Sequence, residues 1–121
     1  MRPWVVVAGL NAAFAVALGA YAAHGLAGDA YLQSLGERAA LYQLVHALAI
    51  LAADRLAADG RRAAHAAALL FTAAILAFSG SLTVKALGGT LAVPMITPAG
   101  GVAFILGWLV LAFSGLGRSQ G

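Results

Sequence analysis

Three hydrogen-bonding side chains lie close together in an otherwise apolar stretch of the chain. Tyr42, Gln43 and His46 are surrounded by leucine, valine and alanine. On a helix, positions i, i+1 and i+4 lie on one side, so these three side chains share a face. Such groups can bind a small ligand, and an imidazole can also bind a metal or haem. Because polar groups at membrane depth need partners, this face is expected to point into the protein.

The composition indicates an integral membrane protein of one domain. The chain has 121 residues, is 63% hydrophobic and only 9% charged, and has a mean hydropathy of +0.94. Soluble domains carry about 25% charged residues. The net charge of +3 does not indicate nucleic-acid binding, because the basic residues form no stripe and no recognition motif is present. The lack of cysteine excludes a disulfide framework, a thiolate nucleophile and a cysteine metal site.

Four apolar segments are each about long enough to cross a bilayer. They cover residues 4–24, 37–58, 63–87 and 98–116. The predicted fold is therefore all-α, an integral membrane bundle of four transmembrane helices in one domain of residues 1–121. Asp29 is a predicted N-cap ahead of the second helix. Thr97-Pro98 predicts the start of the fourth, with a capping hydroxyl followed by proline at the first helical position.

Basic residues are divided unequally between the two ends of this bundle. Four spans put both termini on one side, and the opposite side receives only Arg38 and Lys85. The terminal side holds Arg2, Arg55, Arg61, Arg62 and Arg118. The positive-inside bias therefore predicts that both termini lie in the cytoplasm.

With that orientation, polar side chains from all four helices are expected to meet in the outer half of the bundle. Counted from Glu37, His46 lies nine residues along its helix, which is about 13 Å below the outer surface. The candidate ligand-binding residues are His24, Tyr42, Gln43, His46, Ser79, Ser81 and Thr97. Asn11, in the inner half, is expected to form an interhelical hydrogen bond.

Three interpretations of these polar residues stay open. The first is a buried hydrogen-bond network that fixes the register of the helices. The second is a pocket that opens to the outer leaflet and binds a small apolar or amphipathic ligand, a lipid or a quinone. The third is a metal or haem with a redox role, held by His24 and His46. Their different depths and the lack of carboxylates on the same faces count against the third.

No catalytic constellation is predicted, and no cofactor. Ser79 and Ser81 have no acid within either span that would orient a histidine for nucleophilic catalysis. There is no phosphate loop, dinucleotide fingerprint or zinc-protease helix. The sequence therefore favours a non-enzymatic membrane protein that binds a ligand, membrane lipid or partner. Abundant alanine and glycine also permit close helix approach between copies, and hence a homo-oligomer.

Several segments resemble a known family. They are LGAYAAHGL (residues 18–26), YQLVHALA (42–49), FSGSL (78–82), TPAGGVAF (97–104) and the pair Gly107-Trp108. They are similar to the signature segments of the YgdD-like family, small four-helix membrane proteins of unknown function that are similar to eukaryotic transmembrane protein 256. The resemblance covers nearly the whole chain, implies a bacterial inner-membrane location and leaves the biochemistry open. Glu37-Arg38 and Lys85 depart from the family pattern.

Overall fold

The protein is an all-helical bundle, seen in a computed structural model that describes residues 2–116. Its four helices are α1 (Pro3–Gly25), α2 (Ala30–Ala58), α3 (Ala63–Ala86) and α4 (Ile96–Ser114). Each is long and apolar enough to cross a membrane, so the predicted fold class is confirmed. Arg118 lies outside the described residues. The bundle end that holds Arg2 and the α2–α3 connection is called the termini end below, and the opposite end is called the distal end.

The helix α2 begins seven residues earlier than the predicted position 37. The carboxylate of Asp29 accepts hydrogen bonds from the backbone N–H groups of Tyr31 and Leu32, each at 3.1 Å. This is the predicted N-cap, and it satisfies two donors that a helix start leaves without partners. The side-chain amide of Gln33 donates back to carbonyls at the end of α1. Only residues 26–29 separate α1 from α2.

The start of α4 differs from the prediction. The helix begins at Ile96, and no side chain caps its first turn. The hydroxyl of Thr97 lies 2.6 Å from that of Ser81 on α3 instead. A hydroxyl near a helix start typically caps the helix, but here the hydroxyl of Thr97 bonds to Ser81 on the neighbouring helix instead.

Small residues let α1 and α2 approach closely. The buried residues of α1 are Ala8, Ala15, Leu18 and Ala22, which recur on one face. On α2, a Cβ added to Gly36 would lie only 2.9 Å from the Cβ of Ala22. Close approach of this kind strengthens packing where lipid supplies no hydrophobic driving force.

The helices pack as an open row. α2 contacts α1 and α3, and α3 contacts α4. The two edge helices, α1 and α4, bury four residues each, whereas α2 buries eleven. Most of each edge helix therefore faces the surroundings. The row leaves two gaps. One lies between α1 and α3 with α2 as its floor, and the other lies between α2 and α4 with α3 as its floor.

Candidate functional site

The gap between α2 and α4 is filled by aromatic rings. Pairs of rings spaced four or seven residues apart face one another from three helices. This aromatic cluster consists of Tyr42 and His46 of α2, Phe71 and Phe78 of α3, and Phe104 and Trp108 of α4. The imidazole of His46 stacks on the ring of Phe104 with centroids 3.7 Å apart.

Both nitrogens of His46 have hydrogen-bond partners. Nδ1 lies 2.7 Å from the carbonyl oxygen of Tyr42. Nε2 accepts from the indole N–H of Trp108 at 3.0 Å. A carbonyl only accepts and an indole N–H only donates, so the imidazole carries its proton on Nδ1 and is neutral. His46 is buried and links α2 to α4.

Two glycines of α4 make room for the phenylalanines of α3. A Cβ on Gly107 would lie 2.7 Å from a ring carbon of Phe71. A Cβ on Gly100 would lie 2.5 Å from the backbone nitrogen of Phe78. Phe78 belongs to a π-helical turn, Ile75–Ser79, which interrupts α3 at this contact. Turns of this type are often found at functional sites.

Hydroxyl groups on α3 near this turn mostly bond within the protein. Ser81 donates to the carbonyl of Phe78 and pairs with Thr97. Thr83 donates to the carbonyl of Ser79 at 2.7 Å. The hydroxyl of Ser79 is the exception, because it is buried and has no hydrogen-bond partner among the described residues.

The gap between α1 and α3 stays open. At its floor, the amide nitrogen of Gln43 donates to the side-chain oxygen of Asn11 at 2.9 Å, and Asn11 donates to the carbonyl of Val7. The interhelical hydrogen bond expected of Asn11 is therefore present. The opening has a volume of about 340 Å³ and is called the amide groove. It is lined by Leu10, Asn11, Phe14, Gln43, Ile75, Leu76, Gly80 and Thr83.

The amide of Gln43 retains bonding capacity towards this groove. Only 7% of the residue is exposed. Its nitrogen bonds to Asn11, while its carbonyl oxygen has no hydrogen-bond partner among residues 2–116. Asn11 lies eight residues from the start of α1, which places this amide pair about 12 Å inside the helix from the termini end.

The structure does not gather the seven predicted residues in one place. Tyr42 and His46 join the aromatic cluster, Gln43 turns towards α1, and Ser81 pairs with Thr97. His24 is exposed near the distal end of α1. Gly19 of α1 lies beside Ala40 of α2, since a Cβ on Gly19 would be 3.6 Å from that of Ala40. From this level His24 lies five residues towards the distal end and His46 six towards the termini end, so the two histidines are about 17 Å apart along the axis.

The predicted depth of His46 is also corrected. It lies about 24 Å along α2 from Ala30 and about 18 Å from Ala58, so it sits past the middle towards the termini end. Sequence reasoning also missed Phe71, Phe104 and Trp108. The available signal was Trp108, because an indole N–H inside an apolar helix needs an acceptor and a histidine on a neighbouring helix is a suitable one.

Contacts between separate parts of the chain hold the termini end together. Arg2 forms an ion pair with Asp54 of α2. The indole of Trp4 donates to Nδ1 of His65 at 3.1 Å, in a second tryptophan–histidine pair that is exposed. The guanidinium of Arg61 donates to the carbonyl of Ser114 and so satisfies the end of α4.

These features define a small integral membrane protein, with four helices and a tightly bonded centre. The chain belongs to the family described as "Protein of unknown function (DUF423)", whose model matches residues 18–101. The resemblance drawn from the signature segments is therefore confirmed.

Similar proteins from several bacteria are named as membrane proteins. The chain is 40% identical over 114 residues to the UPF0382 membrane protein SAB0533 of Staphylococcus aureus, covering 92% of this chain and 93% of that protein. It is 37% identical over 118 residues to the UPF0382 membrane protein YwdK of Bacillus subtilis, with coverage of 92% and 94%. A UPF0382 membrane protein of Haemophilus influenzae is 35% identical over 112 residues, with coverage of 91% and 90%. No solved structure matches this chain.

Proposed function

We propose that this protein is a non-enzymatic membrane protein that binds a small molecule dissolved in the bilayer, and that the amide groove is the binding site. The observation that carries the proposal is the side chain of Gln43. Its carbonyl oxygen has no hydrogen-bond partner in the part of the chain that the structure describes, and the residue lines an open groove inside an apolar bundle. A polar group without a partner at membrane depth is costly, so a ligand that supplies a donor is stabilised there.

The shape of the groove supports a ligand that arrives from the lipid. Its rim consists of the exposed side chains of Leu10, Phe14 and Leu76. Its volume of about 340 Å³ lies within the usual range for small-molecule sites, roughly 300–1,000 Å³. Apolar walls with a few placed polar groups are also typical of such sites.

Three of the other candidate residues fit a structural role better. His46, Ser81 and Thr97 have their polar groups bonded within the protein. This is the hydrogen-bond network that fixes the positions of helices. Ligand binding is thus proposed for Gln43 and its neighbours in the groove, and not for the aromatic cluster.

The metal or haem alternative receives less support from the geometry. Nε2 of His46 would have to give up the indole N–H of Trp108 to bind a metal. His24 lies about 17 Å away along the axis by helix geometry. Among residues 2–116, no group of three or more histidine, cysteine, aspartate or glutamate side chains is close enough to hold an ion.

Substitution of Gly80 tests the groove. A Cβ at Gly80 would meet only the carbonyl oxygen of Ile75, at 3.9 Å, and Gly80 lines the groove, so we expect a leucine side chain there to occupy the groove. A diazirine-bearing long-chain alcohol in reconstituted vesicles is expected to crosslink to Leu10 and Leu76. The G80L variant should reduce this crosslinking about tenfold, which corresponds to a loss of about 1.4 kcal/mol of binding.

The matched control is Gly9→Leu. A Cβ at Gly9 meets nothing within 4 Å, and the residue faces outward on α1 without lining the groove. It adds the same volume and should leave the crosslinking pattern unchanged. Crosslinks spread evenly over lipid-facing positions such as Leu69 and Leu109, in both variants, would contradict the proposal.

The proposed location is the inner membrane of a bacterium with both termini in the cytoplasm. In support, Arg2, Arg55, Arg61 and Arg62 lie at the termini end of the described helices, against Arg38 and Lys85 in the distal half. Alkaline phosphatase is active only outside the cytoplasm. Fused after Gly121 it should be inactive, and inserted in the loop of residues 88–95 it should be active. The opposite pair of results would reverse the orientation.

A further inference from the structure

A second depression adjoins the amide groove at the distal end. It lies between α3 and the chain that leads into α4, and its volume is about 400 Å³. This distal groove is lined by Leu76, Gly80, Ser81, Val84, Leu91, Ala92, Val93 and Ile96. The two grooves share Leu76 and Gly80 on the outward face of α3.

Gly80 lies where the two grooves meet and lines both of them. It is an ordinary helical residue, with φ −61°. Since it has no side chain, and since a Cβ there would meet only one atom within 4 Å, nothing on α3 divides the grooves at this position. A flexible chain can therefore cross from one groove to the other over Gly80.

The two ends of this path differ in polarity. The amide end offers the carbonyl oxygen of Gln43, which has no hydrogen-bond partner among the described residues. The hydroxyl of Thr83 lies beyond Gly80 towards the distal end and donates to the carbonyl of Ser79. At the distal end the hydroxyl of Ser81 is bonded to Phe78 and Thr97. The rest of the distal lining is apolar or glycine. A polar head is therefore stabilised at the amide end, and an apolar tail at the distal end.

Charge limits the ligand further. Among the lining residues of both grooves there is no acidic or basic side chain. The distal-end cations Arg38 and Lys85 do not line either groove. A charged head beside Gln43 would be buried in hydrocarbon without a counter-charge, which is strongly unfavourable.

Resting on the proposed function, we infer that the ligand is an uncharged amphiphile with one alkyl or prenyl chain. Its hydroxyl or amide head donates a hydrogen bond to the carbonyl oxygen of Gln43 in the interior of the bundle, and its tail crosses Gly80 towards Val93 at the distal end. A free amphiphile in a bilayer has the reverse orientation, with its head at the surface and its tail in the interior. This reversal is the feature that an experiment can detect.

The test uses bromine quenching of a fluorophore. The chain contains no cysteine, so Leu10→Cys at the amide end and Val93→Cys at the distal end can each be labelled with bimane. The probe is decanol with bromine on its terminal carbon, added to the protein in nanodiscs. The inference predicts stronger quenching at position 93 than at position 10. A decanol with bromine beside the hydroxyl should give the reverse order.

Variants and a charged probe complete the design. In the G80L background, terminal bromine should quench position 10 more than position 93, as for alcohol free in the bilayer, whereas G9L should keep the wild-type order. Bromine-tipped decyl trimethylammonium should not give the wild-type order. Equal behaviour of the charged probe overturns the selection for neutral ligands. Stronger quenching at position 10 than at position 93 in the wild type overturns the inverted orientation but leaves the proposed binding function standing. The binding function is overturned if the crosslinking experiment also shows no preference for the amide groove.

Discussion

Replacing Gly100 with alanine is expected to lower the free energy of unfolding by about 3 kcal/mol, the upper end of the usual cost of overpacking. The added Cβ would lie 2.5 Å from the backbone nitrogen of Phe78 and 2.8 Å from its Cβ. Backbone atoms cannot rotate away as a flexible side chain does, so α4 must move from the π-helical turn of α3. The quantity to measure is unfolding in mixed detergent–SDS micelles, followed by tryptophan fluorescence.

The neighbouring residue supplies a matched control. A Cβ on Gly101 would meet only a ring carbon of Phe78 at 3.9 Å, which is ordinary contact. Gly101→Ala should therefore be neutral, or stabilising by up to about 1 kcal/mol through higher helix propensity. Equal effects of the two substitutions would show that α3 and α4 do not pack at Gly100 as described.

The glycines illustrate what the sequence predicts well and what it does not. Their frequency in the fourth segment is enough to indicate that this helix approaches a neighbour closely. Which glycine is in contact depends on the rotation of α4 about its axis. That rotation places Gly100 and Gly107, seven residues apart, against α3, and leaves Gly101 at the side. Sequence periodicity alone does not show which face of α4 packs against α3.

The sequence predicts the depth of the polar residues less well, and the cause is one helix boundary. A start at position 37 instead of Ala30 moves the counting origin by seven residues, about 10 Å. The capping residue Asp29 is evident from the sequence. Residues 30–36 mix polar and apolar side chains, however, so the sequence suggests a segment at the membrane surface instead of the first turns of a membrane-spanning helix. With the earlier start, His46 falls towards the termini end and away from His24.

The division of the polar face has a different cause. Tyr42, Gln43 and His46 span about 100° of the helix surface, by the 3.6-residue period. In a closed bundle such an arc faces a single interior. In this open row, α2 has α1 on one side and α3 with α4 on the other. The same arc is therefore shared between the amide groove and the aromatic cluster.

The second large effect is expected at His46. Replacement with alanine should lower the free energy of unfolding by about 3–5 kcal/mol, the cost of deleting a buried ring. The substitution removes the ring that stacks on Phe104 and leaves the indole N–H of Trp108 without its acceptor. Of that total, about 1–3 kcal/mol comes from leaving the indole donor without a partner inside the bundle. The same SDS titration measures the loss.

The exposed Trp4–His65 pair at the termini end is the control for the His46–Trp108 pair, because it has the same type of hydrogen bond without the burial. His65→Ala removes an acceptor from Trp4 in the same way, at a similar distance. Since this pair is exposed, the expected loss is within about 0.5 kcal/mol. A His46→Phe and Trp108→Phe double-mutant cycle isolates the hydrogen bond, with an expected coupling of about 0.6–2 kcal/mol. If His46→Ala costs no more than His65→Ala, then the aromatic cluster does not hold α2 to α4.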